Sequence, residues 1–192
     1  MMRSKRNPWV FLGVMMMAVL AIMLTGSAAI YAAGQEAAAK GGTFAKEFLP
    51  TWQRAKAYSL EFAEAMPEEH YNFKPTPEIS SFGEQIVHAA GAAFFFASKI
   101  KGEENPMKEF KAEGKSKAEI KDFLTRSFDY AESALAGLSD EEAAKKIPLF
   151  GELTLTKAET FLTLRDHITH HRGQMVIYLR LKGIKPPQYV GW

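Results

Sequence analysis

The sequence predicts an all-α fold, a four-helix bundle carried behind an amino-terminal leader. Three observations lead there. Four segments of about 20 residues repeat apolar positions at helical spacing, and no segment holds a sustained strand alternation. The chain also opens with a short basic end and an apolar run unlike anything that follows.

The leader comes first. Arg3, Lys5 and Arg6 precede the apolar run from Trp9 to Leu24, and the small residues Gly26-Ser27-Ala28-Ala29 and Ala32-Ala33-Gly34 come after it. That order is the order of a secretory signal, so residues 1–34 are expected to be an export signal outside the fold, cut after Gly34. The uncharged stretch also allows an uncleaved membrane anchor through residues 7–33, since a span needs about 20 residues. Either way the domain is expected outside the cytoplasm, periplasmic or extracellular, or held at the membrane. No cysteine is present. Disulfides, thiol nucleophiles and lipoprotein attachment are therefore excluded, and any chemistry must come from histidines, carboxylates, hydroxyls or a metal.

The whole chain has 24 basic and 22 acidic residues. Arg3, Lys5 and Arg6 are the only charges in the leader, so its removal leaves 21 against 22. With no basic cluster beyond the leader, the charge gives no case for nucleic acid as a partner. Residues 35–43 read as a short spacer and residues 44–192 as one domain large enough for its own core.

The first helix is expected from about Phe44 to Met66, with Phe48, Leu49, Trp52, Leu60 and Ala63 on one side and Met66-Pro67 as its stop. The second begins at Ser81, which with Glu84 three residues on forms a capping box, and runs through Ile86, Val87, Ala90, Phe94 and Phe95 to Lys101-Gly102. Lys117 to Gly137 is the third, with a stripe of Ile120, Phe123, Leu124, Phe128, Ala131, Leu135 and Leu138. Thr156 to Lys182 is the fourth, closed by Gly183 and Pro186-Pro187. The proline-rich link Asn72 to Glu78 is expected to cross one end of the bundle, and Ser139-Asp140-Glu141-Glu142 to form a short capped turn. Links of this length permit a topology other than simple up-down-up-down.

The chemistry concentrates in five histidines. His167 and His171 lie four residues apart on the fourth helix, which puts both imidazoles on one face about a turn apart. Their stripe reads Leu164, His167 or Ile168, His171, Met175 and Tyr178, so both occupy positions where apolar residues belong. An unsatisfied buried imidazole costs roughly 1 to 3 kcal/mol. Carbonyl or carboxylate partners would satisfy one such residue. With His88 on the second helix they make a set of three nitrogen ligands for a divalent metal, and Gly91 and Ala92, one turn on, leave room beside it.

His70, beyond the first helix end, reads as a solvated loop residue. His170 points about 100° away from His171 and cannot share its ion through the same face. Arg172 is expected in a structural ion pair, with Asp166 or a carboxylate of another helix. Gln174 is placed to orient a ligand or bond a carbonyl. Glu84, Gln85, Asp166 and Gln174 are the polar groups nearest the histidines in sequence.

Phe73-Lys74-Pro75-Thr76-Pro77-Glu78, then Ser81-Phe82-Gly83-Glu84 leading to His88, and finally His167-Ile168-Thr169-His170-His171-Arg172-Gly173-Gln174 together resemble the DinB/YfiT-like superfamily of metalloenzymes. The likeness extends over about residues 44–187. It implies a bundle of up-down-down-up topology, often a homodimer, with zinc or nickel held near one end by His88, His167 and His171. It also implies a metal-dependent enzyme of hydrolase or thiol S-transferase type acting on a small molecule of unknown identity. Relatives that resemble thiol transferases use low-molecular-weight cytoplasmic thiols, and the export signal here departs from that pattern. The alternative is a noncatalytic metal- or ligand-binding bundle. Three neutral histidines leave at least one position on the ion open, as in catalytic zinc sites.

Overall fold

The computed structural model describes residues 41–107 and 109–190. The leader expected over residues 1–34, its alternative as an anchor through 7–33 and most of the spacer over 35–43 lie outside the described residues. Among the described residues no helix is long and apolar enough to cross a membrane.

The chain runs through α1 (Thr43–Ala65), a 3-10 turn (Glu68–His70), α2 (Phe82–Lys101), α3 (Lys117–Ala136), a short α4 (Asp140–Ala143), strands β1 (Lys146–Phe150) and β2 (Leu153–Thr156), and α5 (Lys157–Leu181). Local signals set the helix starts. Ser81 with Glu84, Ser116 with Glu119 and Thr156 with Glu159 each exchange bonds in a capping box, which satisfies first-turn N–H groups that have no partner in the helix. At the start of α1 the carboxylate of Asp140 does this work from α4, accepting from Thr43 Oγ1 at 3.0 Å and from the Phe44 N–H at 3.3 Å.

Side-chain pairs give the directions of the long helices. Gln53 bonds Glu132, Lys56 pairs with Asp129, and Glu64 pairs with Lys117 and Lys121, so α1 and α3 are antiparallel. Gly83 lies against Ile120, Phe94 against Phe123 and Tyr130, and Glu103 meets Tyr130, so α2 and α3 are parallel. Tyr178 meets Phe82 and His167 meets Phe96, which sets α5 antiparallel to α2. Phe161 against Phe48 and Arg172 against Ala55 set it parallel to α1. The order is up, down, down, up. Parallel neighbours need a link that travels the bundle's length, roughly 30 Å for a helix of this size, and residues 102–116 reach that far at about 3.3 Å each.

The core lies along the bundle axis. Trp52, Phe62, Phe82, Phe123, Phe128 and Phe161 are fully buried within it. Trp52 packs 4.7 Å from Phe128 and edge-on to Phe161 at 6.4 Å.

The fold is mostly helical, with one departure from an all-α expectation. The link between α3 and α5 holds the expected turn, α4 capped by Ser139, and then an antiparallel hairpin. Phe150 pairs with Leu153 across a two-residue turn, and Gly151 takes a φ of 50° there, a conformation suited to glycine. The strands are too short, and too interrupted by Pro148 and the register shift beside it, to show a periodicity of their own. The hairpin has a positional effect: Phe150 stacks on Phe95 at 5.2 Å and meets Phe96 edge-on, which closes one side of the space beside the histidines.

Candidate metal centre

His88 comes from the first half of α2, and His167 and His171 from successive turns of α5. Because the two helices are antiparallel and packed, the three imidazoles meet. Their ring centres are 5.0, 4.6 and 4.5 Å apart, and one nitrogen from each lies within 4.8 Å of the others. His88 is exposed, and His167 and His171 are partly buried. Burial pushes the His167 imidazole below its ordinary range and His171 down to about 4, with the neighbouring histidines acting in the same direction. Both are therefore neutral at neutral pH, the form that ligates metals.

A chain of hydrogen bonds fixes which nitrogen of His171 is available. The Ser80 carbonyl can only accept, so the Tyr178 hydroxyl donates to it. The Tyr178 oxygen then accepts from the Gln85 amide nitrogen at 3.3 Å, which turns the Gln85 oxygen toward His171. That oxygen accepts from Nδ1 at 2.7 Å, leaving Nε2 of His171 with a free lone pair. Carbonyl or amide oxygens commonly orient metal-binding histidines in this way. His167 differs. Its Nε2 is buried and has no hydrogen-bond partner, the single such side-chain atom among the described residues. A satisfied core histidine would not leave this atom bare. An orphaned buried nitrogen beside two further imidazoles fits a divalent cation.

Beside the imidazoles opens a cavity of ≈ 580 Å³, lined by His88 and His167 and by Val87, Gly91, Ala92, Phe95, Phe96, Phe110 and Phe150. Gly91 and Ala92 are on its wall as the sequence suggests. Glu84, Lys111 and Glu113 bring charge to the lining. The Ser81 N–H, bonded to Glu84 in the cap, holds that carboxyl below the usual range, with Lys74 at 3.2 Å adding to the effect.

The other sequence candidates fall outside this group. His70 sits in the 3-10 turn after α1. The His170 ring accepts from the Gln174 amide at 2.7 Å, so these two residues occupy each other. Asp166 pairs with Arg165 at 2.9 Å. Arg172 does not form the expected ion pair: it donates to the Ala55 carbonyl, Ser59 Oγ and Thr169 Oγ1, and Asp166 is paired with Arg165 instead. Tyr178 is the residue that sequence reasoning placed only on the core stripe. Its link to Gln85 joins residues 93 positions apart, beyond the reach of any local pattern.

Comparison with known proteins agrees with the geometry. The chain is 27% identical over 128 residues to the uncharacterized protein YjoA of Bacillus subtilis strain 168, a match that covers 64% of this chain and 80% of that protein. The crystal structure of a DinB-like protein from Bacillus cereus superposes with a TM-score of 0.65 at 19% identity, covering 76% of this chain and 97% of the other. That of YjoA itself gives 0.63 at 20% identity, covering 74% and 96%. At such identities these structures share the fold. The DinB superfamily model matches residues 51–175, the stretch that holds all three histidines, the whole of α2 and most of α5, and the chain belongs to the DinB superfamily.

Proposed function

We propose that this protein is a divalent-metal-dependent enzyme, of hydrolase or thiol S-transferase type, acting outside the cytoplasmic membrane on a small molecule with an apolar body. The observation that carries this reading is the bare, buried Nε2 of His167 beside two further imidazoles. His88, His167 and His171 would hold the ion, zinc or nickel. Bound there, a dication with an open position lowers the pKa of a water toward about 7 or polarises a substrate oxygen. Gln85 and Tyr178 keep His171 in the ligating tautomer. Phe95, Phe96, Phe110 and Phe150 give the neighbouring space a largely apolar wall, which suits a hydrophobic substrate.

The noncatalytic alternative calls for a fourth protein ligand to close the ion's shell. Among the described residues the group has three members, which favours the enzyme. Location rests on the leader, whose basic start, apolar run and small residues have the order of an export signal.

Elemental analysis tests the site. The purified protein is expected to contain about one divalent ion per chain, and a His88, His167, His171 triple alanine variant to contain none while circular dichroism still reads a folded helical protein. Full metal retention in the triple variant rejects the assignment.

A further inference from the structure

Around α5 from the histidines, a second polar group enters the bundle. Arg172 follows His171 directly and, about 100° further round the helix, faces α1. Its Nη1 donates to the Ala55 carbonyl at 3.1 Å and to Ser59 Oγ at 3.2 Å, and Nη2 to Thr169 Oγ1 at 3.1 Å. The guanidinium stands 5.1 Å from the centre of the Tyr58 ring. Every one of these partners is neutral.

A groove of ≈ 350 Å³ opens beside this cation, lined also by Arg54, Arg165, Tyr58 and Tyr189. Arg54 is held by a hydroxyl, Thr51 Oγ1, at 3.1 Å. Among the described residues Asp166 is the one acid in the lining, and Arg165 holds it at 2.9 Å. The groove therefore has, among the described residues, three guanidinium groups and one carboxylate. A guanidinium has five N–H donors in a planar fork, and three of those on Arg172 are taken by the bonds above. Among the described residues this part-buried cation has only neutral hydrogen-bond partners and no carboxylate counter-charge, and a planar carboxylate matches the fork best.

We propose that the groove between α1 and α5 binds a small aromatic carboxylate. The acid group is held by Arg172 with Arg54 as the second cation. The ring lies against Tyr58 and Tyr189, which both line the groove and whose own rings are 6.4 Å apart and edge-on. The site needs no metal, and its residues are separate from those lining the cavity beside the histidines.

The test is titration of the folded protein with benzoate, benzamide and inorganic phosphate, followed through backbone amide NMR shifts. Benzoate should saturate with a Kd in the millimolar range or tighter and move the amides of Ala55, Thr169 and Tyr189. Benzamide, the neutral analogue, should bind at least about tenfold more weakly, as loss of a charge-assisted contact implies. Binding should persist in the triple alanine variant that lacks the histidines, weaken in Arg54→Gln, and disappear in Arg172→Gln. If Arg172→Gln fails to fold, Arg54→Gln and the benzoate–benzamide comparison decide the matter. Shifts confined to Gly91 and Ala92, equal affinity for benzamide, tighter binding of phosphate than of benzoate, or an unchanged benzoate Kd in Arg54→Gln would each overturn the proposal.

Discussion

Two regions of the bundle treat buried polar atoms in opposite ways. Along α1 and α3 each one finds a partner inside the protein. Trp52 Nε1 donates to the Phe128 carbonyl at 3.1 Å, the Tyr71 hydroxyl to the Ala63 carbonyl at 2.6 Å, and Ser127 Oγ to the Leu124 carbonyl at 2.7 Å. Between α2 and α5, His167 keeps a buried nitrogen with none. The first region is packed with large aromatic rings, whereas the second has Gly91 and Ala92 beside an open cavity. A bare buried polar atom costs about 1 to 3 kcal/mol, so the second region gives up stability that the first retains. What such a defect offers in return is a place for a ligand.

The largest expected effect is on the packed side. Trp52→Ala removes a fully buried indole, its hydrogen bond and its contacts with Phe128 and Phe161, and should destabilise the protein by about 3 to 5 kcal/mol in denaturant unfolding. His167→Leu, which removes the bare nitrogen and keeps the volume apolar, should leave the metal-free protein as stable as the parent or more so. A loss in His167→Leu as large as that in Trp52→Ala would break the comparison, because it would mean that the histidine is a packing residue.

An intermediate effect concerns the chain from Ser80 through Tyr178 and Gln85 to His171. Gln85→Leu should weaken metal binding about 10- to 100-fold in a chelator competition, since His171 loses the partner that fixes its tautomer and ring. Tyr178→Phe keeps Gln85 and breaks only the outer bonds, so its effect should be smaller. Equal metal affinity in Gln85→Leu and the parent would show that the chain does not orient the ligand.

How far the molecule could be read in advance follows the same division between local and distant contacts. Capping signatures such as Ser81 with Glu84 act within one turn, so α2 was legible to the residue, and the other long helices fall within a residue or two of their stripes. The imidazole pair of α5 follows from helical spacing alone. His88 could be joined to it because it lies on another helix in a similar setting of small and apolar residues. Arg172 illustrates the limit: its Ala55 and Ser59 partners are more than a hundred residues away, and a carboxylate was expected where a carbonyl and a hydroxyl stand. The hairpin was hidden for a different reason. Its strands of five and four residues, one containing Pro148, gain their form from each other and from the packing of Phe150 on Phe95, not from a pattern along the chain.

The smallest expected effect falls on the open side and separates room from chemistry. A Cβ added at Gly91 would meet nothing within 4 Å, and glycine inside a helix costs roughly 0.5 to 1 kcal/mol relative to alanine. Gly91→Ala should therefore raise stability by up to about that amount, with metal content unchanged, because the new methyl enters the cavity without touching a ligand. Ala92→Leu on the same wall should go further and fill the approach to the ion. In the cobalt-substituted protein, added azide should change the visible absorption of the parent by entering the coordination sphere, and Ala92→Leu should suppress that response at equal metal content. If Gly91→Ala instead destabilised the protein, the wall would have to be packed like the region around Trp52, and the apolar space assigned here to a substrate would be filled by the protein itself.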